Sequence, residues 1–134
     1  MKRETIRPSG APEAIGPYSQ AVRCGGFLFC SGQIPLDPAT GKLVDGGIAE
    51  QTTRVLRNLE AVLAAGNATL RSVVKTTVYM VDLGDFSAMN EVYRTFFPEN
   101  PPARATVGVL KLPAGAKIEI EALAVETTDD PRHP

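Results

Sequence analysis

Histidine is nearly missing from this sequence and tryptophan is absent: one histidine, His133, occurs in 134 residues. It lies in the terminal stretch Asp129-Asp130-Pro131-Arg132-His133-Pro134, where order is least expected. A Ser-His-Asp triad, a Cys-His pair and a histidine-ligated metal therefore have no residue to build on, and no metal site is expected. Cysteine is scarce as well. Cys24 and Cys30 stand six apart in apolar or Gly-rich surroundings, fit no zinc spacing, and read as reduced buried thiols. Charge of one sign is not in excess, since 14 Lys and Arg face 15 Asp and Glu. That balance leaves no electrostatic footprint for nucleic acid or anionic lipid. Neither a P-loop nor a dinucleotide fingerprint is found among the 12 glycines. Met1-Lys2-Arg3-Glu4-Thr5 has no apolar run behind its basic pair, so no signal peptide is expected and the cytoplasm is the expected compartment.

What is present is an ordinary globular composition, 43% hydrophobic and 22% charged. A chain of this length can bury its own core without staples, and no linker or repeat divides it. Residues 1–134 read as a single α+β domain, with about 127–134 as a flexible tail. Gln20–Cys24 and Phe27–Ser31, flanking Gly25-Gly26, form an expected hairpin. The Pro-, Gly- and Asp-rich stretch from Pro35 to Gly47 is expected to be an exposed loop. Val55, Leu56, Leu59, Val62 and Leu63 recur at helical spacing between Ile48 and Ala65, with Gly66-Asn67 as a stop. Val73–Val81 reads as a strand covered on both faces. A second helix is expected from an Asp85 N-cap, with Phe86, Met89, Tyr93, Phe96 and Phe97 on one side and Pro98 at its end. Strands at Ala105–Leu110 and Lys117–Glu126 follow, joined through Pro113-Ala114-Gly115.

Alternation in the last strand puts Ile118, Ile120, Ala122 and Ala124 on one face and Glu119, Glu121, Leu123 and Val125 on the other. Two helices of modest length cover one face of a sheet of five or six strands. The face carrying Leu123, Val125 and Tyr79 or Met80 then needs another partner, and self-association would put Glu119 and Glu121 near a subunit interface.

With histidine and metal clusters set aside, carboxylates, arginines, hydroxyls and backbone groups remain as candidates. An arginine is ordinarily a surface residue. Arg104, however, follows the rigid run Asn100-Pro101-Pro102-Ala103 at a strand entrance, where its planar fork can hold a carboxylate bidentately. Glu119 and Glu121 share a strand face; either can serve as a general base or as an interface ion-pair member, and periodicity does not choose. Tyr18 is a hydroxyl donor or a turn aromatic. Ser31-Gly32 is an anion-facing strand end or an ordinary turn. Asn90, a polar residue near the apolar stripe of the second helix, is a satisfied interior amide or a site residue.

Gly16-Pro17-Tyr18-Ser19-Gln20-Ala21, Phe29-Cys30-Ser31-Gly32-Gln33-Ile34-Pro35, Met89-Asn90 with Tyr93 and Phe96-Phe97-Pro98, Pro102-Ala103-Arg104-Ala105-Thr106-Val107, and Ile118-Glu119-Ile120-Glu121-Ala122 occur in that order. Together they resemble the reactive intermediate deaminase family (RidA, also called YjgF/YER057c/UK114), from roughly Thr5 to Val125. The resemblance implies a chorismate-mutase-like mixed sheet of about six strands with two α-helices on one face. It also implies a homotrimer with clefts between subunits, and cofactor-free hydrolysis of 2-imino acids such as 2-iminobutanoate and 2-iminopropanoate. By the same resemblance, Arg104 binds the substrate carboxylate and Glu119 positions or activates water. Tyr18, Ser31, Gly32 and Asn90 match further cleft positions. Thr106 stands where the family usually has a cysteine, and keeps a hydroxyl able to hydrogen-bond; Leu110 stands where a smaller residue is common.

The implied chemistry suits the residue inventory, because an imine conjugated to a carboxylate is already electrophilic and needs orientation, water and a proton route. Two other functions fit the same resemblance: deamination of a related enamine such as 2-aminomuconate, and a non-catalytic small-molecule-binding or chaperone-like trimer. A ribonuclease role ranks behind these, since the chain has no basic patch.

Overall fold

The computed structural model describes residues 2–126. The expected tail, with His133, lies outside the described residues.

Two consecutive glycines set the first hairpin. Gly25 and Gly26 both take positive φ, 62° and 82°, the requirement of a tight type I′ connection. They join β2 (Ala21–Cys24) to β3 (Phe27–Gln33), with Cys24 paired to Phe27. Outside β2 lies a short strand that the sequence reading did not anticipate, β1 (Arg3–Ile6); only Ile6 of its four residues is buried, so it carries almost no hydrophobic pattern. Helix α1 spans Ile48–Ala65 and stops where expected, with Asn67 in the left-handed region and the N–H groups of Gly66 and Ala68 closing on Leu63 O. Strand β4 (Val73–Met80), helix α2 (Phe86–Phe96) and strand β5 (Ala103–Gly108) form one crossover unit, since β4 and β5 are parallel. Strand β6 (Ile118–Val125) then inserts between β3 and β4, antiparallel to both. The sheet order is β1-β2-β3-β6-β4-β5.

Both helices pack on one face of this sheet. Val55, Leu56, Leu59, Val62 and Leu63 of α1 are wholly buried, as are Leu28, Val78, Met80, Ile118, Ile120 and Ala124 of the strands beneath. This is the α+β, chorismate-mutase-like architecture: a six-stranded mixed sheet with two helices on one side. The opposite face carries Tyr79, not Met80, and leaves Phe29 (50% exposed), Val74 (43%), Val107 and Val125 open. Strand β4 is therefore covered on one face only within the chain, a correction to the reading of its β-branched run as doubly buried. That run has a second apolar face that the helices do not reach.

Other local readings change in detail. Asp85 precedes α2 but its side chain makes no capping bond; Asp82 instead accepts from Gly84 N–H at 2.8 Å and caps the short 3-10 turn Leu83–Asp85. The segment from Pro35 to Gly47 is not wholly exposed. Pro35 and Leu36 are buried, and the fully buried Asn58 of α1 donates to the carbonyls of Ile34 (3.2 Å) and Leu36 (2.9 Å). Among the described residues no helix is long and apolar enough to cross a membrane.

Candidate active site

Glu119 projects from the helix-free face of β6, opposite Tyr79 of β4, because its neighbours Ile118 and Ile120 take the buried positions. On its other side β3 breaks register with β6 between Cys30 and Gln33. Gly32 sits in that irregularity with the Glu119 carboxylate lying against it. A cavity of about 540 Å³ opens here. Glu119, Ser31, Gly32 and Tyr18 line it with a largely apolar wall that includes Ile15, Ile34, Leu36 and Ala114. Burial first, and the neighbouring charge of Glu121 second, raise the pKa of Glu119 above its ordinary value. A carboxyl so placed is suited to accepting and returning a proton.

The polar groups around this cavity are tied to one another. Ser31 commits both of its donors to the preceding loop: its N–H to Gln20 O (2.9 Å) and its hydroxyl to Ser19 O (2.6 Å). Of the two readings left open for Ser31-Gly32, an anion-facing N–H at residue 31 is not available, since that group is already satisfied; the hydroxyl oxygen keeps its capacity to accept. Tyr18 is 48% exposed and accepts a bond from Ile15 N–H at 3.3 Å. Behind them Gln33 Nε2 donates to Gln20 Oε1 at 2.8 Å, and Gln20 Nε2 donates to Pro12 O. Sequence reasoning assigned no role to this buried amide pair. The bulge after Cys30 shifts the two-residue alternation, so position 33 does not read as inward-facing.

Arg104 belongs to a different place. It pairs in register with the buried Thr76, and so faces α2 and not the Glu119 side. Its guanidinium carbon lies 4.8 Å from the Tyr93 ring centre and 5.5 Å from that of Phe86, within cation–π range. Nη1 donates to Asn90 Oδ1 at 2.8 Å. Asn90 is therefore the residue that aims the guanidinium, and Tyr93 is fixed beneath by a 2.7 Å hydrogen bond between its hydroxyl and that of Thr76. Asn90, Tyr93, Phe97, Pro101, Pro102 and Arg104 border a second cavity of about 340 Å³. Thr106 follows on the same strand face, opposite Val78, and its Oγ1 is buried with no hydrogen-bond partner among the described residues. Leu110 is 91% exposed beyond the end of β5.

One chain thus brings Tyr18, Ser31, Gly32 and Glu119 together, and separately brings Arg104, Asn90 and Thr106 together. The two groups lie on opposite faces of the sheet. Among the described residues no group of three or more His, Cys, Asp or Glu is placed to hold a metal ion. Cys24 and Cys30 are free, and burial pushes the Cys30 thiol up to about 12.

A six-stranded mixed sheet backed by two helices, with a raised-pKa carboxyl on one face and a ring-stacked arginine on the other, places the chain among small single-sheet α+β proteins. The family model described as Endoribonuclease L-PSP matches residues 8–126. The chain belongs to that family, the reactive intermediate deaminase (RidA/YjgF) family. It is 52% identical over 124 residues to a RutC family protein of Pyrococcus abyssi, covering 92% of this chain and 98% of that one. It is 47% identical to the mouse 2-iminobutanoate/2-iminopropanoate deaminase, covering 92% of each. Among solved structures, E. coli TdcF with bound serine shares 40% identity at a TM-score of 0.88, covering 92% of this chain and 99% of that one.

Proposed function

We propose that this protein hydrolyses 2-imino acids, of the size of 2-iminobutanoate and 2-iminopropanoate, to 2-oxo acids and ammonia. The observation that carries this reading is the state of Arg104: stacked on two rings and held by Asn90, it has no Asp or Glu partner among the described residues. A pre-aimed guanidinium without a counter-ion is suited to a substrate carboxylate. The mouse relative is named for these two imino acids, and the bound serine in the TdcF structure carries the same carboxylate next to nitrogen.

Since Arg104 and Glu119 face opposite sides of the sheet, one small substrate reaches both only if a second copy supplies one of them. The open apolar face with Phe29, Val74 and Val125 gives a copy something to bury. These observations support self-association, and with the homotrimer that the family resemblance implies we read the working form as a trimer in which Arg104 of one copy enters the Glu119 cavity of the next.

In that site Arg104 clamps the carboxylate and Glu119 orients a water toward the imine carbon. The water oxygen forms the new C–O bond while the C=N π electrons move to nitrogen. The water's proton passes to Glu119 and from there to the nitrogen. In the resulting carbinolamine the hydroxyl proton passes through Glu119 to the amino nitrogen, which leaves as ammonia with the C–N electrons as the C=O forms and Glu119 returns to its starting state. No covalent enzyme intermediate is needed. Thr106 and Tyr18 bound the site as hydroxyls, Asn90 as the arginine's holder, and Ser31 and Gly32 as the wall beside Glu119.

The test is a coupled assay in which an amino-acid oxidase or dehydratase supplies imino acids of graded size, with ammonia release or semicarbazone trapping as the readout. Loss of the effect in Arg104→Ala is the expected result; unchanged hydrolysis in that variant would reject the assignment. A ring-cleavage enamine such as 2-aminomuconate serves as the competing substrate. Sedimentation equilibrium tests the assembly, and a stable monomer with full activity would reject the shared site.

A further inference from the structure

Two residues beside Glu119 have no part in the chemistry above. Tyr79 and Glu121 both project from the helix-free face, with Tyr79 opposite Glu119 in register and Thr77 opposite Glu121. A tyrosine directly across from a glutamate is placed to bond it. Here its hydroxyl reaches along the diagonal instead and donates to Glu121 Oε1. The Glu119 carboxylate is left with no hydrogen bond among the described residues, and it packs over Gly32.

We infer that Tyr79 and Glu121 are a positioning pair for Glu119: the Tyr79 hydroxyl ties up the Glu121 carboxyl, which leaves Glu119 as the member that takes up and passes on the proton. The kinetic part of this inference rests on the deaminase reading above; the separation of the two carboxyls does not.

The physical reason is that two carboxyls two residues apart on one strand face start from Cα atoms roughly 7 Å apart, close enough for one charge to oppose the other. With the Tyr79 hydroxyl bonded to Glu121, the two carboxyls sit in different environments, and Glu119 is the one left unbonded against Gly32. The direction of the Glu119 shift agrees, with burial as the larger cause and Glu121 as the second. The Tyr79 hydroxyl is itself shifted up, chiefly by its bond to Glu121, and so remains a donor at neutral pH. The other titratable groups near Glu119 come from separate elements. Glu13 and Tyr18 line the same cavity from the loop before β2, and Lys75 lies further along β4 opposite Leu123. Strand β3 presents Ser31 and Gly32 there, neither of which titrates. In the proposed assembly, Arg104 of a neighbouring copy also enters, bound to the substrate carboxylate.

The experiment is a 13C NMR titration of the full chain labelled at glutamate carboxyl carbons, with the Glu119 signal assigned by its loss in Glu119→Gln. In Glu121→Gln the Glu119 midpoint should fall by about half to one pH unit. Tyr79→Phe should move it the same way by less, and should add nothing once residue 121 is glutamine. The acid limb of kcat/KM should shift to lower pH by the same amount. Taking it as a ratio to the unaltered protein at each pH cancels the substrate's own protonation. A Glu119 midpoint unmoved in a folded Glu121→Gln overturns the inference, as does a uniform rate loss with the acid limb in place, which is what a merely structural role gives. If the midpoint moves while Glu119→Gln hydrolyses imines at full rate, the positioning of Glu119 by this pair stands and the deaminase role of Glu119 fails.

Discussion

The carboxylate of Glu119 occupies the space that a side chain on residue 32 would need. A Cβ placed on Gly32 would lie 2.8 Å from Glu119 Cδ and closer still to Oε2. Gly32 does not take a positive φ, so the requirement for glycine here is one of space and not of backbone freedom.

Gly32→Ala should accordingly leave the fold nearly unchanged and push the Glu119 carboxylate away from its position. Because a displacement of about 1 Å in a catalytic group costs up to about 100-fold, turnover of imino acids should fall about 10- to 100-fold. The melting temperature should move by only a few degrees. Steady-state kinetics beside a thermal melt check both halves; full activity would show that the contact with Gly32 does not set the carboxylate.

Arg104→Lys keeps the charge and loses the fork, the hydrogen bond to Asn90 and the planar stacking on Tyr93 and Phe86. With about 2–4 kcal/mol at stake in a charge-assisted clamp, kcat/KM should fall roughly 30- to 1000-fold. Asn90→Ala should lose less, since the rings still hold the guanidinium, and its loss should appear mainly in KM. Near-normal kcat/KM in Arg104→Lys would remove the arginine from the site.

Asn58 is wholly buried and holds the carbonyls of Ile34 and Leu36 while accepting from Arg54 Nε at 3.1 Å. Asn58→Ala leaves two backbone acceptors without these donors. Stability should drop by about 2–4 kcal/mol, read as a lower denaturation midpoint. Ile34 and Leu36 also form the apolar wall of the Glu119 cavity, so substrate binding should weaken in the same variant.

The Cys30 thiol gives a dependence on alkaline pH. Burial raises it from 9.0 to about 12, so the unfolded chain loses this proton first. The contribution is therefore fully present below pH 9 and lost as pH rises toward about 12. Urea unfolding across that interval should show a falling midpoint, with a shallower fall in Cys30→Ala. The raised Tyr79 and Tyr93 contribute in the same direction, which is why the comparison between variants, not the slope alone, is the measurement. Alkylation of Cys30 in the folded protein should be slow at pH 8 for the same reason.

Much of this was readable in residue order because it depends on short-range physics. The period of 3.6 from Val55 to Leu63, the Gly25-Gly26 turn and the two-residue alternation of Ile118–Val125 each follow from local geometry, and each element forms where its pattern lies. Alternation also put Glu119 and Glu121 on one face, but it gave them equal standing. Composition argued against histidine-based chemistry, and the order of five sequence blocks pointed to the family.

The family resemblance singled out Glu119, but the physical difference between the two glutamates lies in the tertiary structure, because the phenol that binds Glu121 and the glycine that admits Glu119 come from other strands, β4 and β3. Strand order decided the rest. Which face Arg104 takes depends on its register with Thr76, a pairing between residues 28 positions apart that no local pattern encodes. The bulge after Cys30 hid Gln33 in the same way, by shifting a period that sequence reading assumes is unbroken. The sequence by itself determined the elements and the chemical inventory, through local backbone preference and hydrophobic periodicity. The tertiary structure decided which side of the sheet each functional group faces, because that is fixed by long-range register and by which face the helices cover.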